Sequence, residues 1–147
     1  MKAVIIMGSK SDMDYARKIK ERIEGFGICV EMFVASAHKT PLRVLEILRE
    51  YEGEDVVFVT IAGRSNALSG LVDANTTKPV IAAPPYSDMF IVDVFSSIRM
   101  PSGVSPMLVM DAENVALAVA KILAMKYEDL RTVVEEYQRR KREEVIG

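Results

Sequence analysis

Short apolar runs alternate with longer amphipathic segments along most of this 147-residue sequence. The short runs are rich in β-branched residues, which predicts buried strands. The longer segments repeat apolar residues at helical spacing, which predicts helices. A chain that alternates strand and helix in this way favours a parallel sheet whose strands are connected by helices packed on its faces.

The predicted architecture is an α/β fold: a three-layer α/β/α sandwich with a central parallel sheet, flavodoxin-like or Rossmann-like, plus a C-terminal helix. Strands are predicted at residues 3–7, 28–35, 55–63, 78–85 and 105–110. Helices are predicted at residues 11–27, from Thr40 onwards, within 64–77, and at 88–100, 112–125 and 127–147. The length fits one domain, residues 1–147, in which 127–147 packs either on its own domain or on a neighbouring subunit.

Local signals mark the starts and buried faces of the first two helices. Ser11 followed by Asp14 is a capping-box pattern, and Pro41 is suited to a first helical position. The first helix is expected to bury a set of apolar residues at helical spacing: Ala16, Ile19, Ile23 and Phe26. The second helix is expected to bury its leucines: Leu42, Leu45 and Leu48.

Composition and charge exclude several classes of function. The net charge is −2, and no basic stripe indicates nucleic-acid binding. No apolar run reaches the roughly 20 residues of a membrane span, and the N-terminus lacks the long apolar region of a signal peptide. One cysteine and one histidine cannot form a disulfide or a His/Cys zinc site. We therefore expect a cytoplasmic protein without a nucleic-acid partner, a membrane partner or a His/Cys metal site. A carboxylate-held Mg²⁺ stays open, although no Asp/Glu cluster favours one.

The loop after the first predicted strand, "GSKSD", is a candidate phosphate site. Open parallel sheets bind ligands beyond the carboxyl ends of their strands, so the loops that follow the strands supply the binding and catalytic residues. Here Gly8 is followed by the hydroxyls of Ser9 and Ser11 at a predicted helix N-terminus, where backbone N–H groups and the helix dipole favour an anion. A capped helix without a ligand explains this loop, taken alone, equally well.

The loop after the second predicted strand, "SAHKTP", contains the only histidine of the chain, His38, beside Ser36 and Lys39. Histidine has an ordinary pKa near neutrality, as a general acid or base requires. A lone histidine is more often a packing or surface residue. The strand-end position, the small neighbours and the adjacent lysine favour a chemical role here.

Two further loops belong to the same predicted edge of the sheet. The glycines, serines and asparagine of "AGRSNALSG" either line a small pocket or form a turn in which Ser65 caps a short helix. The prolines of "APPYSD" either stiffen a pocket wall or simply end the fourth strand, and the second explanation is the commoner one.

In this order, these loops resemble the purine-biosynthesis family that carboxylates 5-aminoimidazole ribonucleotide (AIR). The resemblance rests on "GSKSD", "SAHKTP", "AGRSNALSG", "NTTKPVIAAPP" and "SSIRMPSG", and covers roughly residues 3–123. It implies an enzyme that uses AIR and carbon dioxide without ATP, biotin, a metal or any other cofactor. It also implies a homo-octamer in which residues 100–103 reach towards a neighbouring subunit's site.

The resemblance further implies a role for each matching residue. His38 is the single catalytic acid/base, and Asp12 accepts hydrogen bonds from the ribose hydroxyls. The phosphate of AIR is held by residues of the first two loops: Ser9, Ser11, Ser36 and Lys39. Substrate binding also involves Gly8, and the carbon dioxide side is shaped by Gly63, Arg64 and Ser65.

The family has two activities, and the sequence resembles the second more closely. Class I mutases move a carboxylate from N5-carboxyaminoimidazole ribonucleotide, whereas class II enzymes add carbon dioxide to AIR directly. Lys39 and "GRSN" resemble class II, and Thr40 is a minor departure towards class I.

The alternative outside the family is a non-enzymatic phosphate- or nucleotide-binding module of the receiver or flavodoxin type. A receiver needs an aspartate at the end of the third strand, but that strand ends in "TIAG". A flavin binder usually shows aromatic residues beside the ring, and this chain has no tryptophan. Both observations speak against this alternative.

Overall fold

All of the predicted strands are present and form one parallel sheet. The computed structural model describes residues 1–88 and 91–146. Its strands are β1 (Lys2–Met7), β2 (Cys29–Val34), β3 (Val56–Ile61), β4 (Val80–Ala82) and β5 (Met107–Leu108). They lie in the order β2-β1-β3-β4-β5, and every neighbouring pair is parallel. This is the flavodoxin-like order, with its switch point between β1 and β3, so the predicted fold class is confirmed.

Helices cover both faces of the sheet. They are α1 (Met13–Glu24), α2 (Pro41–Glu50), α3 (Ala67–Ala74), α4 (Phe95–Ile98), α5 (Ala112–Ala124) and α6 (Glu128–Ile146). Short 3-10 turns precede α1 and α4, at Lys10–Asp12 and Ile91–Val94. α1 and α5 pack on one face, with α6 stacked on α5, whereas α2 and α3 pack on the other.

The central strand β1 shows why both faces need a helical cover. Side chains alternate across a strand, so neighbouring residues enter opposite layers. Ala3, Ile5 and Met7 pack with α1 and α5, while Val4 and Ile6 pack with α2 and α3. All of these residues are fully buried. A strand that is apolar at every position is therefore the expected sequence for this place in the sheet.

The last two strands are shorter than predicted because prolines limit their pairing. β4 ends at Ala82, and Pro84 and Pro85 follow it. β5 begins at Met107, directly after Pro106, which has no N–H to donate to a neighbouring strand. The carboxyl ends of these strands nevertheless stay aligned with those of the longer strands.

The capping prediction for the first helix is wrong. An additional 3-10 turn precedes α1, and the Ser9 hydroxyl caps it by accepting a hydrogen bond from the Ser11 N–H at 3.2 Å. α1 then begins at Met13, and its N-cap residue Asp12 makes no side-chain capping bond. The predicted buried face of α1, by contrast, is confirmed: Ala16, Ile19, Ile23 and Phe26.

The second helix begins at Pro41 as predicted, but its buried face is rotated from the predicted one. Leu42 is 73% exposed and Leu45 is half-buried. Leu48 is buried as predicted. The face against β1 and β3 consists of residues at i, i+3, i+4 and i+7: Val44, Ile47, Leu48 and Tyr51. The leucine spacing fits a helix as well as this set does, and only the docking angle selects between them.

The C-terminal helix packs on its own chain through one short stripe. Leu130 and Val134 are buried, and the rings of Tyr137 and Phe26 lie 5.0 Å apart. Val133 is 42% exposed. Residue 147, the last of the predicted helix, lies outside the described residues, as do residues 89–90 of the predicted 88–100 helix. No helix in the described part of the chain is long and apolar enough to cross a membrane.

Candidate active site

One cleft of about 590 Å³ opens beyond the carboxyl ends of β1, β2 and β3, at the switch point of the sheet. All ten residues that the sequence singled out line it: Gly8, Ser9, Ser11, Asp12, Ser36, His38, Lys39, Gly63, Arg64 and Ser65. They come from separate loops, which the parallel topology brings together. The structure thus gathers the whole predicted set in one place.

The first wall of the cleft presents paired hydroxyls. The Gly8 N–H donates to the Ile61 carbonyl at 2.9 Å, which fixes the start of the loop to β3. The Ser11 hydroxyl donates to the Ser9 oxygen at 2.9 Å. A Cβ at Gly8 would lie 3.7 Å from the Ile61 carbonyl oxygen, an ordinary contact, so packing within the chain does not require glycine here. The two hydroxyls face solvent near the start of α1, where an anion is favoured.

The second wall is a turn that is tied at both ends. The Thr40 N–H donates to the Ser36 carbonyl at 2.8 Å, and the Ser36 N–H donates to the Thr40 hydroxyl oxygen at 2.9 Å. The Lys39 N–H donates to the Ser36 hydroxyl oxygen at 3.2 Å. His38 stands exposed at the top of this turn, at the cleft. Its position is therefore set by its neighbours' hydrogen bonds rather than by its own.

The third wall is a strained turn. Ser65 has a φ of +40°, and it is the one non-glycine residue in the left-handed region among residues 1–88 and 91–146. Its N–H donates to the Asp93 carboxylate at 3.4 Å. The cap of α3 is Asn66, whose side-chain oxygen accepts from the Ser69 N–H at 3.1 Å, so the capping role considered for Ser65 is wrong. The turn serves as a pocket wall.

The charges in the cleft have both signs. Lys39 and Arg64 are cations, and Asp12 is the one carboxylate in the described lining. Burial raises the pKa of Asp12 above its ordinary value, and a hydrogen bond with the Ser9 backbone partly opposes that shift. A carboxylate that has lost part of its water is suited to accept hydrogen bonds from ligand hydroxyls. Within the described ranges, no three His, Cys, Asp or Glu side chains are grouped to hold a metal ion.

The sequence model of the AIR carboxylase family matches residues 2–144. This chain belongs to the AIR carboxylase family. A phosphoribosylaminoimidazole carboxylase of Archaeoglobus fulgidus is 68% identical over 146 residues, which are 99% of this chain and 81% of that protein. The crystal structure of Treponema denticola PurE has a TM-score of 0.95 at 43% identity, covering 99% of this chain and 94% of that one.

Relatives of the AIR carboxylase family also occur as parts of longer proteins. The human bifunctional phosphoribosylaminoimidazole carboxylase/phosphoribosylaminoimidazole succinocarboxamide synthetase is 43% identical over 127 residues. That match spans 84% of this chain and 30% of the human protein. The shared region is thus a unit of this size placed within a larger chain.

One wall of this AIR carboxylase cleft lies outside the predicted set of site residues. Pro85 and Ser87, from the loop after β4, line the cleft together with the residues of the first three loops. The strand-end position of "APPYSD" is the sequence signal for this wall, although prolines at such a position more commonly just end the strand. Pro85 has both roles, since it follows the end of β4 and also lines the cleft.

Proposed function

We propose that this protein carboxylates AIR with carbon dioxide to give 4-carboxy-AIR, reversibly and without ATP or biotin. This is the class II activity of the family, a carbon–carbon lyase reaction of purine biosynthesis. The observation that carries the proposal is the meeting of all ten implied residues in one cleft of this family's fold. The cleft holds hydroxyls and a lysine for a phosphate, a carboxylate for ribose hydroxyls, and a histidine.

The substrate is anchored at its charged end. Ser9, Ser11, Ser36 and Lys39 supply hydroxyl and ammonium donors on adjoining walls of the cleft. Hydrogen bonds to charged groups contribute about 1.5–3 kcal/mol each, so this set is strong enough to hold a ribonucleotide phosphate. Asp12 accepts hydrogen bonds from the ribose, which leaves the aminoimidazole ring between His38 and the Gly63–Ser65 turn.

The reaction needs one proton acceptor and no covalent intermediate. Carbon 4 of AIR is enamine-like, and its electron pair forms the new bond to the carbon of carbon dioxide while one C=O pair moves onto oxygen. The adduct still carries the proton of carbon 4. Neutral His38 removes that proton, which restores the aromatic ring, and returns it in the reverse direction. Such base catalysis is typically worth about 10²–10⁴-fold, and positioning supplies much of the rest.

The class I mutase reaction is the second candidate, because it is carried out by the same family. Lys39 and the Arg64–Asn66 stretch favour class II over class I. Pure protein supplied with AIR and bicarbonate should form 4-carboxy-AIR, while N5-carboxyaminoimidazole ribonucleotide should be converted no faster than it releases AIR. Conversion of the N5-carboxy compound alone would assign the mutase activity instead. Conversion of neither would support a non-enzymatic binding module.

The proposal includes a homo-octamer in the cytoplasm. An oligomer is supported by large apolar side chains that the single chain leaves exposed, among them Tyr86 at 72% and Phe95 at 59%. Residues 101–103 are also exposed and are free to reach a neighbouring site. The octamer is a prediction from the family resemblance, and the cytoplasmic location is a prediction from the sequence composition.

A further inference from the structure

A single hydrogen-bonded network contains all four buried polar side chains in the part of the chain that the structure describes. They are Thr60, Asn66, Ser69 and Ser97. None of them lines the cleft directly. Burying polar groups is costly unless each is satisfied, and a core otherwise built of apolar residues has no need of them.

Asn66 is the centre of this network, and its amide is fully engaged although only 4% of the residue is exposed. Its side-chain nitrogen donates to the hydroxyl oxygens of Ser69 and Ser97, each at 2.7 Å. Its side-chain oxygen accepts from the Ser69 N–H at 3.1 Å. Ser69 in turn shares a hydrogen bond of 2.7 Å with the Thr60 hydroxyl on β3. The network therefore joins the sheet, α3 and α4.

Asn66 also connects this network to the strained turn of the cleft. The Asn66 N–H donates to the Ser96 hydroxyl oxygen at 2.8 Å, and the preceding Ser65 N–H donates to Asp93 at 3.4 Å. Ser65 itself holds a φ of +40°, a conformation that costs free energy in a residue with a side chain. Contacts from the 93–97 segment thus hold a turn that would otherwise relax.

We infer that Asn66 is a positioning residue, which locks the Gly63–Ser65 turn to the 93–97 segment and so sets the carbon dioxide side of the site. This inference rests on the proposed function for the identity of that ligand. Asn66 contacts neither the cleft nor its contents, and it acts through Ser65. The phosphate anchors stand on the first two loops and share no hydrogen bond with this network.

A pair of variants separates positioning from a purely structural role. Ser96→Ala with Ser97→Ala cuts the bonds from Asn66 to α4 and leaves the Asn66 cap of α3 in place. Thr60→Val is the matched control. It also removes a buried hydroxyl from the network, but on strand β3, where the hydroxyl bonds Ser69 and not α4. Each protein is compared with wild type for kcat, for KM of carbon dioxide, and for the Kd of AIR.

The serine variant should lose on the order of tenfold or more in kcat/KM for carbon dioxide, because small displacements of positioning groups are costly. Its Kd for AIR should stay at the wild-type value, and Thr60→Val should keep both constants. An unchanged kcat/KM for carbon dioxide in the serine variant would overturn the inference. An equal loss in Thr60→Val would do the same, since it would mean that any damage to the buried network suffices.

Amide hydrogen exchange of the free proteins supplies a readout that does not depend on the reaction. Exchange at residues 63–67 should be faster in the serine variant than in wild type or in Thr60→Val, because the strained turn is released. Unchanged exchange at 63–67 would refute the inference even in a protein that carboxylates AIR. If wild type carboxylates nothing, the proposed function fails, and the exchange result still decides whether Asn66 fixes the turn.

Discussion

His38 is held at the cleft by a turn whose hydrogen bonds are made by Ser36 and Thr40. Replacing the histidine leaves those bonds intact, so His38→Asn should keep the fold and the affinity for AIR. Turnover should fall by about 10²–10⁴-fold, because the proton acceptor is lost. Steady-state rates together with calorimetric titration of AIR measure both effects. A variant that turned over AIR at a near wild-type rate would rule out His38 as the general base.

Lys39 and Lys10 form a matched pair for testing the anion site. Both are exposed lysines in strand-end loops, but Lys39 lines the cleft and Lys10 does not. Lys39→Ala should weaken AIR binding by roughly tenfold or more, the equivalent of losing one charged hydrogen bond. Lys10→Ala should leave the Kd unchanged at moderate salt. Equal losses in the two variants would indicate a general charge effect, and no loss in either would leave Lys39 without a role in binding.

The ionised Asp12 side chain lowers the free energy of unfolding of the protein at neutral pH. Its folded-state pKa is raised, chiefly by burial. A raised pKa means that the protonated form is favoured by folding, so this contribution is present below the unfolded pKa and is lost as the pH rises through the folded pKa. Asp12→Asn should therefore unfold at a higher urea concentration than wild type at pH 7, with the gap closing in acid. A lower midpoint for the variant at pH 7 would contradict this assignment.

At the scale of elements, apolar periodicity predicted every strand and most helices. It did not predict for every helix which face packs on the sheet. The rotated face of α2 depends on the angle at which it meets β1 and β3. The capping error at Ser11 has a local cause: Ser9 and Ser11 are both good cap residues, and the inserted 3-10 turn selects the first. Sequence spacing alone does not distinguish these outcomes.

The site was predictable because parallel strands deliver their following loops to one edge of the sheet. The Asn66 network was not, since Ser97 lies 31 positions further along the chain and meets Asn66 only after α4 has folded back on α3. Nothing about a serine in "FSSI" signals a buried partner. Long-range polar contacts of this kind depend on packing that local patterns do not contain.

Docking of α6 on its own domain depends on one stripe of side chains. Leu130 is 1% exposed and packs in the core under α5, whereas Val133 on the next face is 42% exposed. Leu130→Ala should lower the free energy of unfolding by about 2–5 kcal/mol, as buried leucine truncations do. Val133→Ala is the control and should change it by less than about 0.5 kcal/mol, as exposed substitutions do. Urea unfolding measures both, and a large loss for Val133→Ala would show that a neighbouring subunit covers that face.

At the scale of the whole molecule, the single chain leaves apolar surface and site residues uncovered together. Large apolar side chains are exposed in one sequence region: Ile91 at 64%, Val92 at 66%, Phe95 at 59% and Ile98 at 55%. His38, Arg64 and Ser65 are exposed as well, although catalysis benefits from excluding water. Several large apolar side chains exposed along one segment indicate an interaction site. A neighbouring subunit would cover both features at once.

Phe95→Glu should therefore disrupt assembly and activity together, because a charge buried at a subunit interface is not tolerated unless it is paired. Leu42→Glu is the matched control: it also replaces an exposed apolar residue, 73% exposed, but on a different element, α2. Sedimentation velocity at micromolar concentration should show wild type and Leu42→Glu as active oligomers. Phe95→Glu should sediment as a smaller species without AIR carboxylation, since residues 100–103 could no longer reach a neighbouring site. A monomer with full activity would refute both the assembly and the shared site.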